Sequence, residues 1–127
     1  MKIQLHADPA AFTDVRRLVA LHLSRRGFTD LEFRVTQYLA EMLSNVVKHS
    51  GGLTCVVSLS TSSTSVRLVV GDFSPELPVL QQPDWAAESG RGMYLISELA
   101  DENGAERSGS GKNVWAQFHV EHERAVA

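Results

Sequence analysis

The sequence predicts an α+β protein: a two-layer sandwich in which helices cover one face of a mostly antiparallel mixed sheet. Three observations lead there. Apolar residues recur at helical spacing through residues 9–50, three later runs are apolar at strand spacing, and strands come largely in consecutive order rather than alternating with helices. A chain of 127 residues is near the commonest size for one domain with one core, and residues 1–127 are read as a single domain without a linker or repeat.

Each element has its own signal. Residues 2–5 alternate weakly, as a short strand does. Asp8 and Pro9 then open a helix with Phe12, Val15, Val19 and Leu23 on one side, and Gly27 closes it. A second helix begins at "TDLE", where Thr29 and Glu32 have the spacing of a capping box, and runs to about Ser50 before two glycines. "LTCVVSL" and "SVRLVVGD" read as a hairpin around a Ser/Thr turn. Residues 72–90 hold three of the four prolines and form a long loop, a length that usually signals function. "GRGMYLISELAD" turns helical after its glycines, and "NVWAQFHV" alternates Val114, Ala116, Phe118 and Val120 as the last strand of a closing hairpin.

Composition removes several classes of function. The formal net charge is −3, so no basic excess points to nucleic acid. No run approaches the roughly 18 apolar residues of a membrane span, and the opening "MKIQLHADPAAF" lacks the apolar stretch of a signal peptide. A cytoplasmic location is expected. The only cysteine, Cys55, excludes an internal disulfide and reads as a small core residue.

The long helix carries a polar row. At 100° per residue Arg34, Gln37, Glu41, Asn45 and Lys48 fall within roughly 80°, while Val35, Leu39, Met42, Leu43 and Val46 take another side. Such a row can be a solvated face. Asparagine is nevertheless a poor mid-helix residue, and Glu41 and Asn45, one turn apart, can hold a hard cation or position a hydroxyl. Asp72 ends an apolar strand at the mouth of the long loop, as a turn residue or as a ligand-binding carboxylate. Gly90 and Gly92 precede a helix, where exposed amides attract phosphate. Two near-motifs fail. "GSGKN" has Glu106 and Asn113 where a P-loop needs Gly and Ser or Thr, and reads as a hairpin turn; "HVEHE" pairs His119 and His122 near the chain end, a pattern of solvated surface.

Taken together, "EMLSNVVKH", "GDFSPELP" and "ESGRGMYLISELAD" with "GKNVWAQF" resemble the boxes of the GHKL (Bergerat-fold) ATPase family, in its small bacterial branch of anti-sigma-factor serine/threonine kinases. The likeness covers nearly the whole chain from "VRRLV" onward. It implies a Bergerat α/β sandwich that binds ATP and Mg²⁺. Glu41 would orient or deprotonate the attacking hydroxyl, Asn45 would ligand the Mg²⁺ that bridges the phosphates, and Asp72 would accept from the adenine amino group. Ser74 stands in the second box where a glycine is frequent. Gly90, Arg91, Gly92 and Met93 would lie on the phosphate side. By the same resemblance the substrate would be a STAS-type anti-anti-sigma factor, with a sigma factor as alternative client, and the chain could form a homodimer. Every binding residue would equally serve an ATP-binding module that acts by sequestering a partner without kinase activity.

Overall fold

Asp8 starts the first helix as its sequence position predicts. The computed structural model describes residues 1–6, 8–50, 54–72, 98–109 and 111–120. In it the Asp8 carboxylate accepts from the Ala11 amide at 3.0 Å, and Pro9 takes the first helical turn of α1 (Pro9–Arg25), where a missing N–H is harmless. Beyond the helix Gly27 adopts a φ of 80°, a left-handed conformation that glycine takes without strain, and the Phe28 amide donates back to the Leu23 carbonyl at 2.7 Å.

The start of the second helix corrects the expected capping box. Thr29–Leu31 forms a 3₁₀ turn, no side chain caps it, and α2 (Glu32–Ser50) begins only at Glu32. Packing explains the difference. Phe28 and Leu31 are both buried, and a three-residue repeat places residues three apart on one side, so burying this pair favours the tighter turn.

Five strands follow the order β1-β2-β3-β5-β4: β1 (Lys2–His6), β2 (Thr54–Thr61), β3 (Ser65–Asp72), β4 (Glu102–Ser108) and β5 (Gly111–His119). Every pairing among the described strands is antiparallel. Strands β4 and β5 form a hairpin with Ser108 opposite Gly111 and Gly109 at a φ of 60°, and Lys112 and Asn113 of "GSGKN" belong to β5. Of the helix expected after Gly92, only residues 98–101 are described, and these form a turn and bend; the prolines of the expected loop lie outside the described residues.

Period-two alternation decides which side of the sheet is dry. Cys55, Val57 and Leu59 of β2, Val66, Leu68 and Val70 of β3, and Val114, Ala116 and Phe118 of β5 are buried together with the inner faces of α1 and α2 in one cluster. Apart from Gly111, the alternate positions are half-buried or exposed, and there the Arg67 guanidinium lies 4.5 Å from the centre of the Trp115 ring. Tyr38 of α2 meets Phe118 edge to face, 5.8 Å between ring centres. Arg34, counted in the polar row, is a clasp. Its Nε donates to the Leu99 carbonyl at 2.8 Å and its Nη2 to Asp101 Oδ2 at 3.2 Å, tying the start of β4 to α2.

Leu39 is wholly buried whereas Leu21 is 50% exposed. Leu39→Ala should lower the unfolding free energy by about 2–5 kcal/mol, a lost side chain plus a cavity. Leu21→Ala should stay within about 0.5 kcal/mol in the same urea titration. Equal losses at the two positions would contradict this core.

Candidate functional site

The alternation that buries β3 and β5 does not stop where the apolar residues do. Asp72, two beyond Val70, and Lys112, two before Val114, keep the inward phase and stand directly opposite each other on adjacent strands. Both are buried, at 6 and 3% exposed, and so is Asn45 on α2, at 8%. The Lys112 ammonium lies 3.8 Å from Asp72 Oδ2. These three polar residues share a pocket with Met42 and Val46 of α2, Val70 of β3 and Val114 of β5. Its enclosed space is about 10 Å³, room for a single water, so a larger ligand has to part the walls or lie across the mouth.

Asn45 is therefore not on a solvated face, and its place in the helix interior is matched by a polar environment at the end of the sheet. Glu41, one turn earlier, is half-buried and does not line this pocket. Of the rest of the row, Gln37 is half-buried, Lys48 is exposed and Arg34 serves the clasp. Ser74, Gly90, Arg91, Gly92 and Met93 lie outside the described residues.

Sequence reasoning missed Lys112. It discarded "GSGKN" as a failed P-loop without asking which way the lysine points, yet Lys112 is in phase with Val114, Ala116 and Phe118, and a charged residue in phase with a buried row is a site signal. Cys55 is buried in β2 as expected. Its thiol is pushed up to about 11, first by burial and then by the negative charge of Asp72, which places that carboxylate within electrostatic reach of β2.

The pocket offers a carboxylate acceptor, an ammonium donor and an amide between aliphatic walls, a set suited to a planar heterocycle with its own donors and acceptors. For a metal, the Asn45 amide could offer one oxygen to an ion otherwise held by ligand phosphates and water, the way Mg²⁺ is commonly bound. No group of three His, Cys, Asp or Glu side chains able to hold a metal exists among the described residues. His119 sits 3.5 Å from Glu102, on the far end of the sheet from this pocket.

The five-stranded antiparallel sheet and the two helices on one face seen among the described residues match the GHKL ATPase class of fold. The chain belongs to the family of histidine kinase-like ATPase domains, which matches residues 5–118. Among solved structures it is similar to the RsbU and RsbW domains of Rv1364c from Mycobacterium tuberculosis, with a TM-score of 0.59 and 16% identity over 93% of this chain. It spans 32% of that longer protein. No curated protein matches it by sequence. No helix among the described residues is long and apolar enough to cross a membrane.

Removing one member of a buried ion pair takes away part of what offsets the other charge. Lys112→Met should reduce stability by about 3–5 kcal/mol, and adding Asp72→Asn should return much of it. Equal urea midpoints for the single and double variants would show that the two charges do not depend on each other.

Stability should also fall at alkaline pH. Burial pushes the Tyr38 phenol up to about 12, and the Cys55 thiol is at about 11. Both folded values are raised, so their contribution is complete below the unfolded values near 9 and 10 and is lost as pH climbs toward the folded ones. Urea midpoints should decline from pH 9 upward, and Cys55→Ala should remove the earlier part of that decline; a flat profile to pH 11 would refute it.

Proposed function

We propose that this protein is an ATP-binding regulatory serine/threonine kinase of the anti-sigma-factor type, acting in the cytoplasm on a STAS-type anti-anti-sigma partner or holding a sigma factor. The observation that carries this reading is the buried Asp72 carboxylate sharing an apolar-walled pocket with Asn45, in a chain of the histidine kinase-like ATPase family.

Each residue has a defined task. Asp72 accepts a hydrogen bond from the adenine amino group, with Val70, Val114, Met42 and Val46 excluding water around the base. Asn45 would hold Mg²⁺ through its amide oxygen, and the ion would supply positive charge against the phosphates. In transfer, the partner's hydroxyl oxygen bonds the γ-phosphorus as the bond to the bridging oxygen breaks, ADP departs, and the hydroxyl proton passes to Glu41. That role agrees with Glu41 lying outside the base pocket, one turn from Asn45. Ser74 would belong to the adenine side, and Gly90, Arg91, Gly92 and Met93 to the phosphate side. A phosphate on the partner adds roughly −1.5 to −2 charge, sufficient to loosen an interface.

The pocket residues would serve equally a second reading, an ATP-binding module that sequesters its partner without phosphorylating it. Transfer kinetics separate the two. Glu41→Gln should bind ATP within a few-fold of wild type but phosphorylate the partner at least about a hundredfold more slowly, because a group that holds the attacking hydroxyl acts in the transition state. Asn45→Ala should weaken Mg-ATP binding and transfer together. Wild-type transfer by Glu41→Gln would remove its role; nucleotide binding without transfer by the wild type would favour the sequestering module; and no calorimetric response to millimolar Mg-ATP would reject nucleotide binding altogether.

A further inference from the structure

We propose that Lys112 reads the purine base together with Asp72, making base recognition in this chain a paired contact between one ammonium donor and one carboxylate acceptor. This rests on the ATP-binding reading of the pocket and adds a specificity-determining residue to it. Lys112 is buried, lines the same pocket as Asp72 and Asn45, and stands on the rung directly opposite Asp72.

A lysine ammonium carries three N–H donors, so Lys112 can keep its ionic contact with Asp72 Oδ2 at 3.8 Å and still donate to a ligand. Moving both charges out of water is expensive, and an apolar pair of similar volume would often stabilise the fold as well, so this pair is better explained by recognition than by stability. The chemistry of adenine fits it. On its Watson–Crick edge the exocyclic amine donates and the adjacent ring nitrogen N1 accepts. Asp72 can only accept when ionised and Lys112 can only donate, so the two complete that edge as one donor–acceptor pair. Each contact also involves a charged partner in a water-poor pocket, where such hydrogen bonds are strongest.

The test deletes one atom from the ligand and leaves the protein intact. In 1-deaza-ATP a C–H replaces N1, so Lys112 loses its acceptor while the amine remains for Asp72. Calorimetry on the full chain with Mg²⁺ should show 1-deaza-ATP binding wild type at least about tenfold more weakly than ATP, the loss of one charge-assisted hydrogen bond. Lys112→Met, checked for folding by circular dichroism, should bind the two nucleotides equally, both weakly. Equal affinities in wild type would overturn the role of Lys112 even if Lys112→Met did not fold, while ATP binding itself stands. A wild type that binds neither nucleotide would instead remove the reading on which the proposal rests.

Discussion

The described structure depends on one constraint, the strict alternation of β3 and β5 beneath α2. A strand turns every second side chain inward, and the inward rows of these two neighbours run unbroken from Val66 and Phe118 to the rung of Asp72 and Lys112. The rows are apolar for three rungs and ionic at the last. Because the backbone cannot change phase without a bulge, the charged rung is carried to the same dry side as the core. Core and site are two ends of one surface. That is why Val70 and Val114 serve both: each belongs to the buried cluster and each walls the pocket.

The helix above has to satisfy both ends at once. Val35, Leu39 and Leu43 belong to the apolar cluster, Asn45 lines the pocket at the ionic rung, and Val46 belongs to both. Met42 bridges the two, buried in the cluster and lining the pocket with an unbranched side chain that adapts to irregular space. Arg34 restrains the same helix from the other end through Leu99 and Asp101, and Asp101 in turn accepts from the His119 amide at 2.6 Å. Sliding α2 by a turn would therefore strain contacts at both extremities.

Much of this was legible before any coordinates. The helical spacing of Val15, Val19 and Leu23, the Asp8–Pro9 start and the alternation in "NVWAQFHV" each express a local rule that tertiary packing left unchanged. Asn45 was legible because it broke a rule. The capping box failed because its sequence signal is local, whereas burial of Phe28 and Leu31 against the core chose the turn. The partners of Arg34 and Lys112 were illegible for a different reason. A helix wheel shows that Arg34 is polar but not that residues 99 and 101 come back to meet it, and the phase of Lys112 marks it as inward but not as the neighbour of Asp72, a pairing between strands far apart in sequence.

That distance in sequence has a kinetic meaning. The β2–β3 and β4–β5 ladders join strands that follow one another along the chain, but β3 and β5 meet only by closing the loop between residues 72 and 112. Non-local pairings of this kind carry the larger loop-closure entropy and are characteristic of slower steps in folding. Neither hairpin alone contains a complete pocket, since Asp72 belongs to one and Lys112 to the other. A nascent or partly folded chain with both hairpins formed still presents two half-sites with opposite charges. The full arrangement appears only once the sheet has joined, so a complete pocket distinguishes the finished molecule from its precursors.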